Sequence, residues 1–398
     1  MKRLIAISVV FALAAGAAFA VDVGGEVIGK VNIVSKDGAA DDATAFTGGL
    51  GRIRLEGSGD AEIAIGTIGG WIRAEVGTNF DADGLFAKAM TEYDSTDPDA
   101  EEPNPIDYLS TNFYGLAWWK PIDQLKIQIG GNPDGHYDTS HIGRYGFYAQ
   151  ANEIGLVNSD GNWGGTSFDK GVFGGGFGSN HFALIIDPLD GLNINIALPL
   201  NAKVVDPDDK QIGAAFKGAL FQVNYSADFG AIHVTYAGAG SSLSDIGKIW
   251  GSVYLGSLVD GLGLELGLGY SLKKADVAKD PLAVALGARF DAGAFGIKLR
   301  AIFEAGGEVT AGGDKKDAAV RVDLLPSYAV NDDVVIFGDI GIYLTGADEQ
   351  FAWHLAPYVR IGPEWGPGFY AGLKFNNGDG GKDDKVNIAI PIGIIAKF

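Results

Sequence analysis

The chain contains no cysteine among its 398 residues. That excludes disulfide scaffolds, thiol nucleophiles, Cys-bound zinc and iron–sulfur clusters. Basic residues are scarce: 30 Lys plus Arg stand against 50 Asp plus Glu, a formal charge of −20. Nucleic-acid binding needs dense Lys and Arg to neutralise phosphates, so that partner is excluded. Beyond the N-terminus no uncharged apolar run reaches the roughly 18 residues of a spanning helix, which excludes a helical inner-membrane protein. The five histidines, His136, His141, His181, His233 and His354, are too scattered for a metal site, and the spacing of His136 and His141 is unlike a helical metal-binding pair. The glycine run at 174–178 lacks the strand–turn–helix setting of a phosphate cradle, and no nucleophile elbow is present. The residues therefore call for no metal, no cofactor and no enzyme activity.

Glycine and aromatic residues are abundant. There are 61 Gly, 22 Phe, 14 Tyr and 7 Trp, and 47% of residues are apolar, which argues against disorder. Residues 1–20 have the form of an export leader. Met1-Lys2-Arg3 is a positive start, Leu4 to Ala15 is a short apolar stretch, and Ala18-Phe19-Ala20 fits a small-x-small cleavage pattern. Removing Lys2 and Arg3 with it deepens the charge from −20 to −22. The expected single domain is then 21–398.

Period-two alternation recurs through that domain. Residues 261–272 read GLGLELGLGYSL, with Leu262, Leu264, Leu266, Leu268, Tyr270 and Leu272 on one parity and Gly263, Glu265, Gly267, Gly269 and Ser271 on the other. A helix would scatter those leucines, and each interior Gly would cost about 1 kcal/mol. A strand gathers them on one face. The same pattern sets Ile297, Leu299, Ala301 and Phe303 against Lys298, Arg300, Ile302 and Glu304, and Ile336, Ile340, Ile342 and Leu344 against Asp339 and Tyr343.

Connections alternate as regularly. Short turns at 121–123, 187–191, 228–230, 259–261, 291–293, 331–333 and 363–366 alternate with longer polar segments at 36–45, 81–110, 131–180, 201–211, 273–281, 306–317 and 376–384. This is an up-and-down meander with tight turns at one end. The pattern predicts eighteen strands (sixteen to twenty are compatible) in an all-β antiparallel barrel. The second strand is expected at 46–57, with Ala61, Ile63 and Ile65 able to extend it. In a soluble β-sandwich the apolar faces would pack on a second sheet. The opposite faces here are rich in Gly, Ala and Ser with isolated charges, more like a lumen wall than a solvated surface.

The last strand sets Val386, Ile388, Ile390, Ile392, Ile394 and Phe398 against Asn387, Gly393 and Lys397, and it ends on an aromatic residue. It resembles the C-terminal strand of bacterial outer-membrane β-barrels, in which a terminal aromatic and alternating apolar residues are read by the barrel-assembly machinery. Ile390, Ile392, Ile394 and Phe398 hold those positions; Ala396 is smaller than usual and Pro391 interrupts the strand. With the leader and the meander, the chain resembles porin-type barrels over its whole mature length, with no particular subfamily identified.

The resemblance implies a bacterial outer-membrane location, reached through the periplasm, with membrane lipid and the assembly machinery as partners. It makes a homotrimer the assembly to test, although the residues show no interface. A barrel of this strand count encloses an aqueous channel, so the expected function is passive diffusion of small hydrophilic solutes and ions. Acidic stretches such as 94–107 predict weak cation preference. By parity Arg52, Arg54, Arg73, Arg289, Lys298, Arg300, Arg321 and Arg360 face the lumen, paired with Glu56, Glu75, Glu304 and Asp323. Loop 131–180, with Asp134, Asp138 and Asp169, resembles the inward-folded loop of general porins and is the candidate constriction. Trp118, Trp119, Trp353, Trp365 and Phe369 are expected in interfacial girdles. The alternatives are a channel selective for a sugar or hydrophobic solute and a surface adhesin or structural protein.

Overall fold

A computed structural model describes residues 20–36, 43–78, 109–131, 181–200, 218–238, 248–271, 282–305, 307–308, 315–316, 318–345, 351–363, 366–377 and 386–398. Residues 1–19, on which the expected leader falls, and residues 132–180 lie outside the described residues.

Every regular element among the described residues is a strand. In chain order they are β1 (Ala20–Lys36), β2 (Ala43–Ile63), β3 (Gly66–Thr78), β4 (Leu109–Ile122), β5 (Leu125–Gly131), β6 (His181–Leu189), β7 (Leu192–Pro199), β8 (Leu220–Ala227), β9 (Gly230–Ala237), β10 (Lys248–Val259) and β11 (Leu262–Ser271). They continue with β12 (Leu282–Ala292), β13 (Phe295–Glu304), a two-residue ribbon β14 (Gly307–Glu308) and β15 (Lys315–Lys316), β16 (Ala319–Ala329), β17 (Val334–Thr345), β18 (Phe351–Ile361), β19 (Gly368–Gly372), β20 (Lys374–Asn376) and β21 (Asn387–Lys397). Each barrel strand pairs antiparallel with its neighbours in sequence, and β21 pairs back onto β1, so the sheet is closed. With β19 and β20 as two pieces of one strand, the barrel has the expected 18 strands. The second strand runs past 57 to Ile63 and turns at Ala64 and Ile65.

Burial is inverted relative to a water-soluble protein. On β11, Leu266 and Leu268 are 55% and 54% exposed while Glu265 between them and the turn is 0% exposed. On β13, Phe303 is exposed while Arg300 and Glu304 are fully buried. The alternating sequence produces this because residues two apart share a face. Slipping β13 by one residue would turn Lys298 and Arg300 outward, at roughly 2–4 kcal/mol each near a bilayer midplane. Apolar packing inside is confined to patches such as Ile28, Leu325, Tyr358, Tyr370 and Ile395, with Phe337 against them.

The tight ends are built on glycine where only glycine fits. Gly191 and Gly261 adopt φ of 77° and 75°. A Cβ on either would sit 2.1 Å from Ser226 O or 2.2 Å from Asp291 O, the groups of the next hairpin. Those neighbours donate N–H bonds of 2.8 Å back to the glycine carbonyls, which ties adjacent turns together.

Pro391 leaves its mark on two neighbours. It lacks an N–H, and β1 shifts register between Asn32, its partner, and Ser35. On the other side the ladder breaks at Leu373, whose register places it beside Pro357 of β18 and next to the partner of Pro391. Leu373 still donates to Pro357 O at 3.0 Å, but neither proline can return a bond. Two prolines flanking one level account for the split of that strand into β19 and β20. Closure is completed by Gly25 and Phe398, which exchange backbone bonds of 2.8 and 3.1 Å. The Phe398 ring lies where a Gly25 side chain would be.

Candidate functional site: the inner wall

The inward face divides into two sectors. The first runs from β13 through the β21–β1 seam to β3 and is charged. Glu26 accepts from Arg52 Nη2 at 2.6 Å and lies 3.7 Å from Arg54 Nη1 and 3.4 Å from Lys397 Nζ. Arg54 Nε donates to Glu75 at 2.8 Å, and Arg73 Nε donates to Glu56 at 2.7 Å. Across the seam, Asp323 accepts from Arg300 Nη2 and Arg321 Nε, both at 2.9 Å. His354 reaches Asp339 beside it, and its ring lies over Gly341, where a side chain would collide with it. Below this cluster, Arg360 stacks on Phe337 at 5.4 Å, and Phe337 stacks on Tyr358 at 4.8 Å.

The second sector, β5 to β11, is built mainly from neutral polar side chains. Gln128 meets His181 at 3.1 Å. Asn195 Nδ2 donates to Asn193 Oδ1 at 2.8 Å and Gln222 Oε1 at 2.9 Å. Gln222 Nε2 donates to Thr235 Oγ1 at 2.9 Å. Ser252 donates to Glu265 at 2.7 Å and contacts His233 Nδ1 at 2.9 Å. Among the described residues of β6 to β11 the only Lys or Arg is Lys248.

The register puts all eight candidate cations, Arg52, Arg54, Arg73, Arg289, Lys298, Arg300, Arg321 and Arg360, on the inward parity. Three of the expected acids, Glu56, Glu75 and Asp323, pair with them, and the expectation omitted Glu26. Arg289 pairs instead with Asp291, at 3.3 Å. Asp134, Asp138 and Asp169 lie outside the described residues, as does Trp365.

One girdle expectation is corrected. Trp118 points inward: it pairs with Gly69, its indole fills the space over that glycine, and Lys126 lies 5.3 Å from its ring. Glycine opposite a tryptophan lets the ring lie along the wall. Trp119 takes the outward parity near the turn and donates from Nε1 to Ile65 O at 2.9 Å. Trp353 and Phe369 share the outward faces of Ile342 and Ile361. Ile390, Ile392, Ile394 and Phe398 lie on the outward face of the last strand. The amide sector went unnoticed in the sequence, although Asn193 with Asn195 and Gln222 with Asn224 are same-face pairs that parity marks as polar on one side.

No protein-family profile matches the chain, and no curated protein sequence matches it. Its solved structural neighbours are bacterial porins. OccAB2 of Acinetobacter baumannii superposes with a TM-score of 0.58 at 11% identity, covering 95% of this chain and 98% of that one. OmpF of Salmonella typhi, solved with daunomycin, gives 0.51 at 13% identity over 95% and 97% of the two chains. An anion-selective porin from Comamonas acidovorans gives 0.50 at 15% identity over 95% and 99%. At these identities the likeness is one of fold, and the fold is that of a porin.

Proposed function

We propose that this porin-fold barrel is a passive diffusion channel of a bacterial outer membrane for small hydrophilic solutes and ions. The observation that carries the reading is the inverted burial: apolar side chains cover the outside, and guanidinium, carboxylate and amide groups line the inside. Hydrocarbon suits the first face, and an enclosed aqueous path suits the second. No chemical step is part of this reading. Single-channel recording of refolded protein in planar bilayers tests it. Discrete ohmic steps are expected; a folded barrel that never conducts would overturn it.

In this reading residues 1–20 are the export leader and 21–398 the barrel domain. Loop 131–180 narrows the lumen, bringing Asp134, Asp138 and Asp169 toward the arginines. Trp119, Trp353, Trp365 and Phe369 sit at the membrane interfaces, and Ile390, Ile392, Ile394 and Phe398 form the signal for the assembly machinery. A homotrimer is the assembly we propose, in contact with outer-membrane lipid.

The channel is weakly cation-selective. The mature charge of −22 is concentrated in connecting segments, and residues 94–107 alone hold Asp94, Asp97, Asp99, Glu101, Glu102 and Asp107. Such a rim raises the local cation concentration. The arginine-rich sector works against it, which keeps the preference weak. A reversal potential in a KCl gradient reads the sign, and anion preference contradicts this part of the proposal.

A further inference from the structure

The hydrogen-bond ladders of the barrel fail along one line. Among the described residues they run unbroken from β2 round to β16, except beside tight turns. Beyond β16 they skip in mid-strand. β16 and β17 pair at Leu324–Ile340 and again at Ser327–Phe337, with no pair between. β18 pairs with β20 up to Leu355–Phe375 and with β19 from Tyr358–Gly372. β21 skips in the same way between Lys374–Ala389 and Ala371–Ile392, and β1 shifts beside Pro391. The gaps lie side by side. The Pro326 ring borders Gly338, Gly338 pairs with Pro357, and Leu373 donates to Pro357 O.

Proline supplies no N–H, so each of these prolines removes a ladder donor. In hydrocarbon no water takes its place. A row of such gaps is a weak line in the wall, and side chains must hold it. The inward neighbours of Pro326, Gly338 and Pro357 are Leu325, Phe337 and Tyr358. All three belong to the largest apolar patch among the described inward residues, with Ile28, Tyr370 and Ile395. Phe337 stacks on Tyr358 at 4.8 Å, and Arg360 lies 5.4 Å from the Phe337 ring. Between the gaps, β17 and β18 stay paired without a break, from Val334–Ile361 to Leu344–Phe351. That hairpin is one coherent unit with an interrupted seam on either side.

We infer that the β17–β18 hairpin is a flexing panel of the barrel wall, hinged at the level of Gly338 and Pro357 and latched from inside by the Phe337–Tyr358 stack. On the long-connection side of the hinge the panel carries Asp339 and His354, and His354 meets Asp323 of β16 over Gly341. On the tight-turn side it carries Arg360. Flexing moves these charges relative to the Arg300–Asp323–Arg321 cluster, so the shape and the electrostatics of the lumen change together. For its effect on permeation the inference rests on the channel reading; for the motion itself it does not.

Hydrogen–deuterium exchange of the full mature barrel, refolded into lipid nanodiscs, tests this. The reference is the β11–β12 hairpin, of similar length and with unbroken ladders on both sides. Backbone amides of β17 and β18 should exchange roughly tenfold faster than those of β11 and β12, because local opening follows the bonds that resist it. Pro326→Val with Pro357→Val returns two donors on residues suited to strands and should slow the panel to the reference rate. Tyr358→Ala removes the inner latch and should speed the panel while leaving the reference unchanged; it decides the matter if the proline variant fails to fold. Equal exchange of the two hairpins in the parent would overturn the proposal. So would a panel that stays fast with both prolines replaced, or one indifferent to the loss of Tyr358. In bilayers the double proline variant should show fewer brief current interruptions than the parent, and an equal number would overturn the effect on permeation. Failure of the parent to conduct would sink the channel reading while leaving the exchange comparison intact.

Discussion

The two sectors of the inner wall solve one problem in different ways. Both place polar side chains on a buried face. From β13 through the seam to β3 the groups are ionic, and two carboxylates are shared: Asp323 serves Arg300 and Arg321, and Glu26 serves Arg52, Arg54 and Lys397. From β5 to β11 most are amides and hydroxyls, which both donate and accept and so satisfy one another in rows. The ionic sector is held by few, strong, mutually dependent contacts. The amide sector is held by many weaker ones.

The largest effect is expected where charge is shared. Asp323→Ala leaves two buried guanidinium groups without their carboxylate and should cost about 3–5 kcal/mol, read as a lower urea midpoint in lipid vesicles. Converting Asp323 to Leu with Arg300 and Arg321 to Met should restore most of that loss, because exchanging a whole buried ion cluster for apolar groups is close to neutral. A loss as large in the triple variant would show that the cluster does more than compensate its own charges. In the amide sector, Gln222→Met removes bonds to Asn195, Asn224 and Thr235 and should cost about 1–3 kcal/mol in the same assay. A cost equal to that of Asp323→Ala would erase the distinction between the sectors. At the border between them, Trp118→Leu loses the contact with Lys126, worth about 0.5–1 kcal/mol at an exposed site. Its clearer signature should be a larger single-channel conductance, since the indole now lies on the wall over Gly69; an unchanged conductance would place the ring away from the solute path.

Much of this was readable from residue order. Period two decides which face a residue takes, so the parity of Arg300, Glu265 or Leu266 follows from its neighbours alone. The eighteen strands follow from the alternation of short and long connections. Partners across strands were harder, because they depend on register. Glu26 lies 26 residues from Arg52 and meets it only when β1 and β2 are aligned, with the shift at Ile28 and Gly29 included. Trp118 was misplaced because adjacent tryptophans near a turn were both read as interfacial, whereas alternation permits only one of them outward. The break at Leu373 required knowing that Pro357 and Pro391 end up at one level. The amide network needed side chains from several strands and their individual bonds, which no linear pattern contains.

The central claim is that hydrocarbon touches the apolar face and water reaches the other. Because the chain has no cysteine, single cysteines can be placed at Ala288, Arg289 and Phe290 without background. Arg289 is on the inward parity with its side chain 42% exposed, and its two neighbours face outward. A charged, water-soluble thiol reagent applied to channels in a bilayer should step the current down at position 289 and leave it unchanged at 288 and 290. Reaction at 288 and 290 with none at 289 would contradict the account.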